Sequence, residues 1–162
     1  MARGILLPAS REPRPIRVNV SLRLYPGSMT AAAVSDRLDL IATSALGVDG
    51  SPEPAVTGRY RTGRHNGWFL DSEDRVKSDD PLVHIEWMLE SLEPRLERLQ
   101  AILVQPDARG QLTLILWSKH GGYALLMPPD LLRRLAAMDL PLWLDFADYD
   151  DEDDDLLSPR GG

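Results

Sequence analysis

The 162-residue chain contains no cysteine. That excludes a disulfide scaffold, a thiolate zinc site and a cysteine nucleophile at once. Long apolar runs are also missing: the longest are a few residues, against the ~20 needed to span a bilayer. Met1 to Ser10 holds one arginine and only the short Ile5-Leu6-Leu7 patch, too brief for a secretory segment. Gly58 and Gly63 have the spacing of a phosphate-binding loop, but Arg64-His65 follows where Lys-Ser/Thr is needed, and GxGxxG is absent. Neither HExxH nor GxSxG occurs, so His65, His84 and His120 lack the company that metal or nucleophilic chemistry requires. These absences describe a soluble, cytoplasmic, single-domain protein with no catalytic or metal-binding residues to nominate and no expected cofactor.

Charge is plentiful but unevenly placed. The formal net charge is −7. Asp145, Asp148, Asp150, Asp151, Glu152, Asp153, Asp154 and Asp155 face only Arg160, and this tail accounts for the whole imbalance. Residues 1–23 carry Arg3, Arg11, Arg14, Arg17 and Arg23 against Glu12 alone. Crowded like charges repel and cannot offset the entropy of ordering, so residues 148–162 read as a disordered acidic tail and 1–14 as a flexible basic arm. A single domain over 15–147 lies between them. Asp148-x-Asp150-x-Glu152 has the beginning of a calcium-loop pattern. Asp153, however, stands where the turn needs glycine, and no closing glutamate follows.

Within the domain, Val18, Val20, Leu22 and Leu24 alternate with Arg17, Asn19, Ser21 and Arg23, which predicts a strand with one buried face. Pro26-Gly27 ends it. Ser28 or Thr30 then caps a helix to about Leu40, with Val34, Leu38 and Ile41 as its apolar stripe. Residues 42–67 show no period and read as a long glycine-rich loop with at most a short strand near 56–61, followed by a brief strand at Trp68-Phe69-Leu70. Asp80-Pro81 is a strong helix start. Leu82, Ile85, Leu89, Leu92, Leu96, Leu99 and Leu103 then mark one face of a helix that Pro94 should kink. Between two strand regions this stripe reads as core, with a coiled-coil seam as the alternative. Gln111–Trp117 and Tyr123–Met127 predict a hairpin across Lys119-His120-Gly121-Gly122. A helix from Pro128-Pro129-Asp130 to Met138 should bury Leu132 and Leu135, with Leu131 a further candidate. Leu142–Phe146 forms a last strand. The predicted class is α+β, a mixed, largely antiparallel sheet with about three helices packed on one face.

Four features occur together in this order: the alternating first strand, Tyr60-Arg61-Thr62-Gly63 leading to Trp68-x-Leu70-x-Ser72, Leu92-Glu93-Pro94 in the long helix, and Leu131-Leu132-Arg133-Arg134-Leu135-Ala136-Ala137 before the last strand. Across roughly residues 15–149 the chain thereby resembles the bacterial domain of unknown function 4279 family. The resemblance implies a small α+β bacterial domain, and it carries no catalytic residues because the family defines none.

The binding residues the sequence nominates are Arg59, Tyr60, Arg61, Arg64 and Trp68, since guanidinium groups beside aromatics in a flexible loop suit phosphate, carboxylate or stacked bases. The opposing reading is a solvated loop anchored by its Tyr and Trp. Trp87 lies off the leucine stripe and either anchors a partner or packs at the sheet edge. The leading function is a non-catalytic protein-binding or interaction module, in one version immunity- or inhibitor-like, with a protein partner and no membrane. One alternative is a nucleic-acid-binding domain using the Arg/aromatic loop, disfavoured by the balanced folded region and the repulsive tail. The other is an enzyme with a dispersed site.

Overall fold

The computed structural model describes residues 15–119 and 124–149. The alternating segment forms β1 (Pro15–Pro26), followed by α1 (Ala31–Leu38), β2 (Ser44–Gly47), β3 (Tyr60–Thr62) and β4 (Gly67–Asp71). Next come α2 (Pro81–Leu92), a 3-10 turn (Glu93–Arg95), α3 (Leu96–Leu103), β5 (Ala108–Lys119), α4 (Pro129–Ala137) and β6 (Leu142–Tyr149). The six strands make one mixed sheet of order β3-β2-β4-β1-β5-β6. Its interior pairs β2·β4, β4·β1 and β1·β5 are antiparallel, and the outermost pairs β3·β2 and β5·β6 are parallel. This is an α+β fold, as the patterning predicts.

Register carries the alternation of β1 across its neighbours. Leu22 lies opposite Leu70 on β4 and Leu112 on β5, Leu24 opposite Trp68, Val20 opposite Leu114 and Val18 opposite Leu116. All of these are buried, together with Ile85, Met88, Leu89 and Leu92 of α2, Leu99 and Ile102 of α3, and Leu131 and Leu135 of α4. The helices therefore cover one face, and the leucine stripe is core. Burying one such side chain against this sheet stabilises by about 1.5–3 kcal/mol.

Helix ends follow the local chemistry. Thr30 Oγ1 accepts the Ala33 amide at 3.2 Å, and Asp80 Oδ1 accepts the Leu82 amide at 2.9 Å ahead of Pro81. Pro94 breaks the long helix into α2 and α3 through the 3-10 turn, keeping the same face inward. The break places Arg95 so that its Nε donates to the Leu38 carbonyl at 2.7 Å and Nη2 to that of Asp39 at 3.1 Å. These are carbonyls at the end of α1 that the helix itself leaves unsatisfied. Arg134 of α4 reaches back to Glu86 and Glu93, both at 2.6 Å, and ties α4 to α2 and the 3-10 turn.

Several expectations are corrected. The 42–67 stretch contains β2, too short and glycine-bounded to show a period, as well as β3 and an isolated Ala42·Val56 bridge. The expected hairpin is not formed: residues 124–128 are not strand, and β5 pairs instead with β6, reached through α4. Ile41 is exposed because α1 has already ended at Leu38, and in α4 Leu131 and Leu135 point inward while Leu132 points out. β6 runs to Tyr149, two residues into the segment read from sequence as tail. The expected arm at 1–14, the tail from 150 and the turn at 120–123 lie outside the described residues.

Two outcomes test this packing. Leu89→Ala should lower unfolding free energy by about 2–5 kcal/mol in urea denaturation, as for other fully buried leucines. The hydrogen bond from Arg134, aided by its charge and opposed by burial, holds the Glu93 carboxyl below its ordinary 4.5. Stability from a depressed carboxyl is present above the unfolded value and fades as pH falls through the folded one. The gap in melting temperature between wild type and Glu93→Gln should therefore be open at pH 7 and close progressively below about pH 4.5.

Candidate functional site

The structure separates the five nominated binding residues. Trp68 is fully buried in the core, and its Nε1 donates to Ser35 Oγ at 2.9 Å. Tyr60 donates its hydroxyl to the Ser51 carbonyl at 3.3 Å and lies so close to Gly47 that a Cβ there would sit 1.9 Å from the phenolic oxygen. Both aromatics are therefore anchors, as the opposing reading had them. Arg64 is exposed on the turn before β4. Arg59 and Arg61 converge on a cleft of about 330 Å³, lined also by Ser21, Arg23, Phe69 and Asp71. Sequence reasoning missed those four because they lie on β1 and β4, brought beside β2 and β3 only by sheet register.

This cleft sits on the sheet face opposite the helices. Outward residues align in rows across the strands: Asp71, Ser21 and Thr113 in one, Ser44, Phe69, Arg23 and Gln111 in the next. Phe69 is the hub, with the Arg23 guanidinium 5.8 Å from its ring centre and Tyr25 edge-on at 5.6 Å. Arg109 lies over Tyr25 at 4.7 Å and Arg17 over Trp117 at 4.6 Å. Gly67 makes room for the hub, since a Cβ there would meet the Phe69 ring at 2.8 Å. Arg17 is ion-paired with Glu73, whereas among the described residues no carboxylate pairs with Arg23, Arg59 or Arg61.

A second surface lies at the opposite edge. β6 has β5 on one side and, among the described residues, no strand on the other. The Leu112 amide donates to the Pro141 carbonyl at 2.9 Å. In a parallel ladder that phase turns the backbone groups of Trp143, Asp145 and Ala147 toward β5 and those of Leu142, Leu144 and Phe146 outward. Apolar side chains stand open to solvent on both faces, with Asp145 beside Trp143 on one of them: Trp143 is 61% exposed, Phe146 51%, Leu144 43% and Leu142 39%. Soluble proteins ordinarily blunt such an edge with charge, proline or a bulge.

One constellation has the form of a catalytic pair. Ser72 Oγ lies 2.7 Å from His84 Nδ1, and His84 Nε2 lies 2.8 Å from the Ser78 carbonyl. Since a carbonyl only accepts, Nε2 carries the proton and Nδ1 accepts the serine hydroxyl. Ser72 Oγ in turn accepts the Val20 amide at 2.8 Å, and Asn19 Oδ1 accepts the Ser72 amide at 3.2 Å. Ser72 and His84 are 0% and 1% exposed, and the side-chain polar atoms of both are already hydrogen-bonded within the chain. The network pins the chain after β4 to β1 and α2. The sequence spacing of twelve residues gave no sign of it. Ser72→Ala should destabilise by about 1–3 kcal/mol in urea denaturation by orphaning buried partners, and His84→Asn should fall in the same range.

On the helical side, Asp36, Asp39, Glu53, Arg75 and Trp87 border a wider hollow of about 710 Å³. Trp87 is half-buried and packs against the core, the edge-packing alternative for that residue. Among the described residues no three side chains are grouped to hold a metal ion, and no helix is long and apolar enough to cross a membrane. The family model described as domain of unknown function DUF4279 matches residues 16–149. Comparison with curated proteins and with solved structures gives no significant match.

Proposed function

The chain belongs to the DUF4279 family, and on that premise we propose that it is a non-catalytic protein-binding module whose docking surface is the free edge of β6. The observation that carries this reading is the combination of outward backbone groups at Leu142, Leu144 and Phe146 with apolar side chains on both faces of the same strand. An extended segment laid along this edge gains main-chain hydrogen bonds from the strand and side-chain contacts with Trp143 and Phe146, the logic of strand addition. Trp and Phe in the centre of such a patch are the residue types on which binding energy concentrates. The partner's chemistry follows from charge: Asp145 lies within the strand, and Asp148 and Asp150 to Asp155 follow it in sequence. A segment alternating apolar and basic residues complements that surface. An immunity- or inhibitor-like role against a basic partner in the bacterial cytoplasm belongs to the same proposal.

A second reading rests on the opposite surface. Arginines stacked on Phe69, Tyr25 and Trp117 across an open sheet face suit single-stranded nucleic acid, with binding that falls steeply with salt. The buried, fully hydrogen-bonded Ser72–His84 pair gives the enzymatic alternative no support.

The test is fluorescence anisotropy of labelled ten-residue strands alternating valine with lysine, or valine with glutamate, against the full chain. The lysine strand should bind and the glutamate strand should not. Leu144→Pro removes an outward amide without touching the β5 ladder, and it should weaken binding by about tenfold or more while leaving the melting temperature within a few degrees. Trp143→Ala should weaken it comparably. A chain that binds neither strand, binds both equally, or binds the lysine strand undiminished after Leu144→Pro sinks the proposal. A dimer by light scattering that Leu144→Pro dissociates would reassign the edge to a second copy of the chain.

A further inference from the structure

The cleft on the open sheet face is chemically divided, and the division has a direction. Arg59 and Arg61, from the segment around β3, form one wall. Neither has a carboxylate partner among the described residues. Phe69, with Arg23 over its ring, supplies an apolar surface between the walls. Ser21 and Asp71, opposite each other in register on β1 and β4, form the other wall.

Ser21 is the telling residue. It is 1% exposed, it lines the cleft, and its Oγ is the one buried side-chain polar atom among the described residues without a hydrogen-bond partner. Native proteins rarely leave a buried hydroxyl orphaned unless something outside the chain completes it. The neighbouring polar groups have work already: Asp71 Oδ1 accepts from Asn19 Nδ2 at 3.1 Å, and Thr43 Oγ1 accepts the Asp71 amide at 2.9 Å. Ser21 Oγ and the second Asp71 oxygen are the polar atoms left over on that wall.

We propose that this cleft binds a small planar organic oxyanion that carries a hydrogen-bond donor at its far end. Its carboxylate or phosphate sits between Arg59 and Arg61, where planar guanidinium forks match either group. Its flat body lies on Phe69, and its donor end reaches Ser21 Oγ and Asp71. A bare inorganic anion satisfies only the arginine wall, and Asp71 repels it from the other. A volume of about 330 Å³ holds a single ring with its substituents. This site stands apart from the β6 edge and does not depend on it.

Isothermal titration of the full chain with 4-aminobenzoate, benzoate, 4-aminophenyl phosphate, phenyl phosphate and inorganic phosphate tests the assignment. The two amino compounds should bind about tenfold or more tightly than their unsubstituted counterparts, and inorganic phosphate should bind weakest. The stronger of the two amino compounds shows whether carboxylate or phosphate is the preferred anion. Changing Arg59 and Arg61 together to Ala should weaken both by tenfold or more, and Arg64→Ala should change nothing. Ser21→Ala removes an unpartnered hydroxyl, so the fold should be unaffected while the preference for the amino group shrinks. No saturable binding of any aryl anion at millimolar concentration would overturn the site. So would an Arg64→Ala loss equal to that of the double variant, which would mean diffuse charge attraction. Equal affinities with and without the amino group would overturn the assigned role of Ser21 and Asp71.

Discussion

The strict period of two along β1 divides this molecule. Val18, Val20, Leu22 and Leu24 face the helices, and Arg17, Ser21 and Arg23 face the other way. Because β1 pairs along most of its length with β5 and over four residues with β4, the division is imposed on both neighbours and passes outward to β2 and β6. A slip of one residue would place arginines against Leu89 and leucines in water, so burial on one side fixes the register on both. The leucine stripe of α2 and α3, the Arg95 cap on α1 and the Arg134 tie from α4 all presuppose that apolar face. The cleft at Ser21 and Phe69 presupposes its reverse.

What was legible in the sequence is what repeats or has a terminus with its own chemistry. β1 alternates for ten residues, α2 opens on Asp80-Pro81, and the leucine stripe continues through a proline without losing its face. The parts that were not legible lack such a signal. β2 is four residues ending at Gly47 and exists because Phe69 and Trp68 lie opposite it. The hairpin assigned after β5 followed from Gly121-Gly122, yet the strand beside β5 belongs to residues past α4, and no local pattern records which strand a neighbour will be. Ile41 and Leu132 fit an apolar stripe on paper, but α1 stops before the first and the second falls on the outer side of a two-turn helix.

The site was half legible for the same reason. Arg59 and Arg61 stand out because arginines cluster there within a few residues of aromatics. Ser21, Phe69 and Asp71 are unremarkable in sequence, and they acquire meaning only where three strands meet. Tyr60 and Trp68 attract attention as aromatics beside arginines and turn out to hold the segment down. Tyr60 does so by filling the space left by Gly47, and Trp68 by reaching Ser35. Anchoring these two lets the arginines between and beside them project from a held backbone rather than from a free loop.

The placement of β1 ahead of the other described strands and in the middle of the sheet has a consequence for how the chain comes off the ribosome. Val18 meets Leu116 roughly a hundred residues later, and contacts this distant in sequence slow folding because a long loop must close before they form. β1 is thus made ahead of the other strands described and waits through the synthesis of β2 to α3 before its longest partner exists. β6, with its exposed apolar side chains, is added after that. A nascent chain stopped anywhere before residue 108 holds a hydrophobic strand with only β4 to cover one edge. Truncated products of this protein should accordingly be the ones that chaperones retain and proteases remove.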